Sequence, residues 1–597
     1  MVRSHTRMRV LGLGAVVVLT FTACGGASSS SSAPAPSTGV PSTGTEQSAA
    51  PSTATGPKTG GTIYLLENAE EFNQLDPQRA YTGEDLAFFG ATIYRSLTAY
   101  KYTSDPVEST KLTPDLATDL GTVADAGKTW SFTLRDGVTF QDGSPITCAD
   151  VAYGTSRTFA TDVITQGPTY AIAYLDIPAD PKGGSAYKGP YKGTGQDLFD
   201  KAVTCSADGK TITFHLGQPV PDFNYTVTLG FSPVPKAADK GESYGIGTNP
   251  VSSGPYMIQQ YTTGKGGKMI LVRNPKWDQA SDPYRTPYPD KWEVDFGIDT
   301  KVIDQRLIQS SGQDETAMSL IVQPENLATV FADPKTPNPD FAGRAVSDYD
   351  IYSLYYWINT TTVKNVKVRQ AMAVALDREA IRKNIGGAFV GPFADGAIKP
   401  NIGIDYAPTG MWTDMFGQPV PDKGDPELAK KLIAESGEPA PTLTLDYRQT
   451  PVAEKTAAIV QASLALAGIT VKLNGIESGK YYSTVYDKPN DFGAGGWGAD
   501  WPNASTVIPP LFTIKGGWNL SKYDDPAFNA KVQAASVELD RQKQASAWQA
   551  LNKEMMQNVV IIPTFFELQQ RMAGTKIDGV YLWGAYGSWP YSRMSVK

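Results

Sequence analysis

Beyond residue 60 the apolar positions follow two periods. Leu443, Leu445 and Tyr447 alternate with polar residues, the period-two pattern of a half-buried strand. Thr450 and Pro451 then supply an N-cap and a first-turn proline. Val452, Ile459, Val460, Leu464 and Ala467 share one helical stripe, and Gly468 marks the stop. Alternation resumes at Ile469, Val471 and Leu473. Strand, helix and strand in this order predict a βαβ crossover and a parallel strand pair. Asn365 is placed to cap a helix carrying Val368, Met372, Ala375 and Leu376, and Asp525-Pro526 to start another with Phe528, Val532, Ala535 and Leu539. Trp130, Phe132 and Leu134, and again Ile212, Phe214 and Leu216, read as half-buried strands. Neither a sandwich nor a bundle fits this alternation. It predicts mixed α/β lobes.

The first 23 residues carry a different pattern. Arg3, Arg7 and Arg9 precede an apolar run from Val10 to Phe21, followed by Thr22, Ala23 and Cys24. A basic segment, a short apolar run and small residues describe a secretory signal, and the run is too short to span a bilayer. Cys24 directly after a small residue resembles the lipobox of bacterial lipoproteins, with Phe21 where Leu is usual. That resemblance implies acylation of Cys24 and an N-terminal lipid anchor on the outer face of the cell membrane. The other reading is an ordinary signal with Cys24 incidental. From Gly25 to about Lys58 the chain is dominated by Ser, Pro, Thr, Gly and Ala, too apolar-poor to form a core. As a flexible tether of roughly 35 residues it would span on the order of 30 to 35 Å.

Composition restricts the partners. The remaining body of about 540 residues exceeds a single core, so more than one domain is expected. The formal charge is −8, and removing residues 1–23 takes away three arginines and no acid, leaving about −11. Without a basic patch, nucleic acid is not an expected partner. Apart from Cys24 the cysteines are Cys148 and Cys205. In an exported protein this pair predicts a disulfide, the alternative being two isolated buried thiols.

Catalytic chemistry finds little support. His5 lies in the signal, which leaves His215, on the strand face of Thr211 and Thr213 opposite Ile212 and Phe214. That argues against histidine-based metal centres and a Ser-His-Asp triad, and no C-x-x-C motif occurs. Gly493, Gly495 and Gly498 match G-x-G-x-x-G, but Asp500-Trp501-Pro502-Asn503 follows where a phosphate-binding helix would have to begin. No cofactor and no metal are called for.

The same glycine stretch carries a resemblance. Asp491-Phe492-Gly493-Ala494-Gly495-Gly496-Trp497-Gly498-Ala499-Asp500-Trp501-Pro502 resembles the signature of the extracytoplasmic solute-binding proteins of peptide-type ABC importers, the oligopeptide and dipeptide binders. Further segments agree in order: Leu112 to Ala117, Trp130 to Val138 with Asp142 to Pro145, Val251 to Tyr256 with Arg273-Asn274-Pro275, and Asn359-Thr360 with Val368 to Ala371 and Leu376-Asp377-Arg378. The resemblance implies a two-lobed α/β clamp of the periplasmic-binding-protein type with an extra subdomain. Mapped onto this chain, lobe I takes 60–103, 244–347 and 525–597, the extra subdomain 104–243, and lobe II 348–524, after the signal (1–23) and the lipidated tether (24–59). On this map Cys148 and Cys205 share the extra subdomain.

The implied function is capture of a small peptide between the lobes by a monomer without catalytic activity, which delivers it to an ABC permease. Asp500 would pair with the ligand's α-ammonium, and the glycines, Gly498 among them, would let ligand and backbone approach closely. The competing role for Asp500 is to organise the turn before Trp501-Pro502. Trp497 and Trp501 either line the cleft or fill the lobe. Trp412 and Trp518 are weaker candidates, and Arg448 is a candidate for a ligand carboxylate or for a surface salt bridge. Ala494, where some oligopeptide binders carry Arg, and the order Pro502-Asn503-Ala504 depart from the family pattern and keep oligosaccharides and metal chelates open as ligands. A surface-anchored hydrolase is the alternative from another class.

Overall fold

A computed structural model describes residues 57–597, Lys515 excepted. The signal, Cys24 and the tether up to residue 56 lie outside these residues. The described chain folds into two α/β lobes. One is built on a five-stranded sheet in the order Ala317–Ser319, Thr62–Leu66, Lys291–Asp295, Lys268–Arg273 and Tyr256–Thr262. Its first three strands are parallel and the last two antiparallel. Ile63, Leu65, Met269, Trp292 and Val294 centre its core.

The second sheet runs Thr470–Ile476, Thr442–Arg448, Phe492–Gly498, Ala345–Ile358 and Ile561–Met572. Its βαβ unit has the predicted connectivity. The Thr450 hydroxyl accepts from the amide of Ala453 at the start of helix Pro451–Leu466, and Gly468 takes a positive φ of 85° just after it. The flanking strands then pair in parallel from Thr442 with Thr470 to Arg448 with Ile476. Asn365 and Asp525 cap their helices through side-chain oxygens, as their positions predict.

A third, antiparallel sheet joins Thr122–Ala124, Thr129–Thr133, Thr211–His215 and Val203–Cys205. Ile212 and Phe214 are buried beneath it, while Thr211, Thr213 and His215 remain partly exposed. Cys148, at the start of helix Cys148–Arg157, is bonded to Cys205 with 5.8 Å between the Cα atoms. This disulfide ties the helix to the sheet edge.

The C-terminal segment differs from the expectation that 525–597 belongs to lobe I. Helices Pro526–Ser536 and Arg541–Asn558 bury Phe528, Val532, Trp548, Leu551 and Met555 in the core of the second sheet, and Ile561–Met572 forms an edge of that sheet. The chain returns to the first core only afterwards, through Ala573, Ile577, Trp583 and Trp589. The physical reason is that Ile561–Met572 pairs along Ala345–Ile358, and both strands run from one lobe to the other. Ala345 and Met572 pack with Leu66 and Ala317 of the first sheet, whereas Trp357, Ile358, Ile561 and Ile562 pack in the second core.

The pairing of these two strands is interrupted between Tyr349 and Ser353. There the buried Lys399 ammonium donates to the backbone carbonyls of Asp350, Tyr352 and Glu567, the last two at 2.7 Å. Burial pulls this ammonium down and pushes the neighbouring Asp350 and Glu567 carboxyls up. A break in register pinned by one cation is suited to a hinge.

Candidate functional site

The site is built on the end of Phe492–Gly498. A Cβ on Gly493 would lie 2.3 Å from the ring of Trp357, and one on Gly495 would lie 2.9 Å from Tyr355. Trp357 and Tyr355 stand opposite these glycines on the neighbouring strand. At Gly493 and Gly495 the glycine run therefore makes room for the sheet's own aromatic side chains. Gly498 faces Ile351 and Tyr352, both about 3.1 to 3.2 Å from where its Cβ would be.

The loop after Gly498 is fastened to the second lobe. The Ala504 amide donates to Asp405 at 2.7 Å, and Asp405 is itself paired with Arg541 at 2.6 Å. The Asn503 side chain donates to Gln544 at 3.0 Å and accepts from the Ser505 amide, so Asn503 caps the turn Ala504–Thr506. The Trp497 indole N–H donates to the Thr506 carbonyl at 2.7 Å.

This leaves the Asp500 carboxylate facing the other side of the clamp. It accepts a hydrogen bond from the hydroxyl of Tyr170, on the short helix Tyr170–Tyr174, and the Tyr81 hydroxyl lies close enough to act on it. The carboxyl is pushed up to about 6 by desolvation, the two hydroxyls pulling in the opposite direction. Among the described residues no Lys or Arg contributes to this balance. A partly desolvated carboxylate offered only neutral donors favours a cation. Tyr170 and Tyr81 are in turn raised above the usual phenol range by burial and by Asp500.

The other candidates separate. Trp501 is 1% exposed, and it fills neither the cleft nor its own lobe: it packs in the core of the first sheet, its ring centroid 4.7 Å from that of Tyr170. Its indole N–H donates to Asp222 at 2.6 Å. Trp497 is half-buried against the second core, 6.0 Å between centroids from Trp518, which also neighbours Tyr482 and Tyr486. Arg448, at the end of the adjacent parallel strand, lies over the rings of Tyr482 and Tyr481 at 4.6 and 5.5 Å. Trp412 is remote from this group, stacked under the buried Arg378.

Tyr81, Tyr170 and Asp222 were not singled out from the sequence. They lie hundreds of residues from Asp500 and Trp501, and no local motif marks them. Within the first lobe a cavity of about 50 Å³ is lined in part by Ala80, Tyr100, Thr228 and Tyr586. The hydroxyl of Tyr100 is buried there without a hydrogen-bond partner among the described residues, and the Asp500 charge acts on it. Among the described residues no group of three or more His, Cys, Asp or Glu is placed to hold a metal ion. No described helix is long and apolar enough to cross a membrane.

Two α/β lobes joined by a pinned pair of crossing strands, with a desolvated carboxylate where they face one another, define a ligand-holding clamp. The model of "Bacterial extracellular solute-binding proteins, family 5 Middle" matches residues 111–519, and the chain belongs to this family. It is 27% identical over 472 residues to the periplasmic oligopeptide-binding protein OppA of Salmonella typhimurium, covering 76% of this chain and 79% of that protein. The solved structure of clavulanic acid biosynthesis oligopeptide binding protein 2 is similar at 28% identity and a TM-score of 0.77, covering 90% of this chain and 96% of the other. The fold is shared with Haemophilus influenzae OppA in complex with the peptide RPPGFSPFR, at 19% identity and a TM-score of 0.63 over 90% of this chain and 99% of that one.

Proposed function

We propose that this protein captures a peptide between its lobes, with Asp500 taking the α-ammonium, and hands it to an ABC permease for import. The observation that carries the reading is the Asp500 carboxylate, partly desolvated between the lobes, hydrogen-bonded by Tyr170 and influenced by the Tyr81 hydroxyl, with no Lys or Arg among the described residues that act on it. A ligand ammonium would supply the charge this carboxylate lacks, and a closed cleft would discriminate against ligands without it. The peptide-binding names of the relatives point to the same ligand class. Trp497, Gly498 and the Trp518 ring group belong to the second-lobe wall of this site, and Trp501 supports it from the opposite lobe.

The protein acts as a binder without turnover and as a monomer. Acylation at Cys24 would hold it on the outer face of the membrane, with the tether keeping the clamp near its permease. Cys24→Ser is then expected to release it into the medium.

Titration calorimetry with tri-alanine and N-acetyl-tri-alanine tests the ligand role. Blocking the amine, or Asp500→Asn, is expected to weaken binding by about tenfold or more, on the order of 1.5 to 3 kcal/mol for a charge-assisted hydrogen bond. Equal affinity for both peptides would remove Asp500 from the site. Native mass spectrometry of the protein as purified would identify the class of any retained ligand.

A further inference from the structure

The loop that carries Asp500 does more than present a carboxylate. Its base is fixed to the second lobe through Asp405, Gln544 and the Trp497 indole. Its tip, Trp501, is inserted into the opposite side of the clamp, buried against Tyr170 and the first core. Asp222 meets it there, just before the short helix Phe223–Thr226. One oxygen of its carboxylate accepts from the Trp501 indole at 2.6 Å and from the Ser505 hydroxyl at 2.7 Å. Asp222 is itself 6% exposed, and burial raises its carboxyl while these two donors lower it.

We infer that Asp222, Trp501 and Ser505 form a latch that exists only in the closed clamp, and that Asp222 is a positioning residue for the Asp500 site. Three features of the geometry lead there. The two halves of the contact belong to different parts of the clamp, Asp222 to the subdomain of the third sheet and Trp501 and Ser505 to the second lobe, and are 279 and 283 residues apart in sequence. Because the loop is anchored on its own lobe, separating the lobes must withdraw the indole from its socket and cannot simply stretch the loop. Withdrawal breaks both hydrogen bonds to Asp222 at once and exposes a large aromatic surface to water.

Asp500 precedes Trp501 in the chain, so seating the indole brings the carboxylate up to Tyr170 and Tyr81. Tyr170 serves both events: its hydroxyl donates to Asp500 and its ring packs on Trp501. Presentation of the ligand-binding carboxylate and closure of the clamp are therefore one movement. The inference rests on the clamp reading, and it does not depend on the ligand being a peptide.

The test uses fluorine NMR of the full chain labelled with 5-fluorotryptophan and free of added ligand, with the Trp501 resonance assigned by its loss in Trp501→Phe. Exposure is read from the shift between light and heavy water. In the wild type the Trp501 resonance is expected to show a buried population. Asp222→Ala should lower the buried-to-exposed ratio about tenfold, and Ser505→Ala, which removes one of the two donors, by about two- to fivefold. Asp222→Asn, which still offers an oxygen to the indole, should stay close to wild type.

A Trp501 resonance that does not move in Asp222→Ala overturns the latch, including one accompanied by a lower melting temperature, which would make Asp222 merely structural. Because no peptide enters the measurement, failure of tri-alanine to bind would count against the proposed ligand and leave this result standing on its own.

Discussion

Asp500→Asn should make the ligand-free protein more stable at neutral pH. The Asp500 carboxyl is raised from an ordinary 3.8 to about 6 by burial. In the folded state it therefore holds its proton over a range in which the unfolded chain has released it. Stability consequently rises as pH falls from 7 towards 4, and the ionised group is a cost above pH 6. Two units of displacement correspond to about 3 kcal/mol above pH 7, and to less than about 1 kcal/mol near pH 4, where the group is largely protonated in the fold and partly so in the unfolded chain. The amide keeps an oxygen for the Tyr170 and Tyr81 hydroxyls and carries no charge. Allowing for the partial opening of the site to solvent, the gain at pH 7.5 is about 2 to 3 kcal/mol. Scanning calorimetry should find the melting temperature of the variant a few degrees above wild type at pH 7.5 and nearly equal at pH 4. A gain of the same size at both pH values, or a loss at pH 7.5, would refute the account of Asp500 as a charge held at a cost for its ligand.

Two further predictions concern the scaffold. Replacing Cys148 and Cys205 by Ser releases a closure spanning 57 residues of sequence, which in the chain-entropy model is worth about 4 kcal/mol; calorimetry should show the loss, and an unchanged transition would count against the bond as a stabiliser. Gly493→Ala drives a methyl group to within 2.3 Å of the buried Trp357 ring and should destabilise by about 1 to 3 kcal/mol, whereas Gly517→Ala, where a Cβ meets open space, should be close to neutral; equal melting temperatures for the two variants would remove packing as the reason for the glycine run.

What the sequence makes legible follows from how far each signal reaches along the chain. The Thr442–Arg448, Pro451–Leu466 and Thr470–Ile476 unit is readable because its cap, its apolar stripe and its terminating Gly468 all lie within 35 residues, and the parallel pairing follows from the order of elements. The helix Pro526–Ser536 is readable by the same kind of signal, although Leu539, counted on its stripe, lies beyond its end. Its lobe is not, because an apolar stripe states that a face is buried and is silent on which sheet covers it. Strand glycines have the same limit: Gly493 and Gly495 record a close approach, and only the neighbouring strand reveals that Trp357 and Tyr355 do the approaching. Asp500 could be singled out because it stands in a compact motif, yet its carboxyl is raised by burial in the folded chain, and the Tyr170 and Tyr81 hydroxyls that oppose the shift lie far away in sequence. Trp501 shows the consequence for function. Lining the cleft and filling its own lobe were the two roles open to an aromatic residue beside a binding loop, and both assumed that it stays on its own side. Insertion into the opposite lobe makes it a residue whose burial depends on closure, so the coupling between ligand contact and lobe movement resides in the pairing of two distant segments and in neither segment alone.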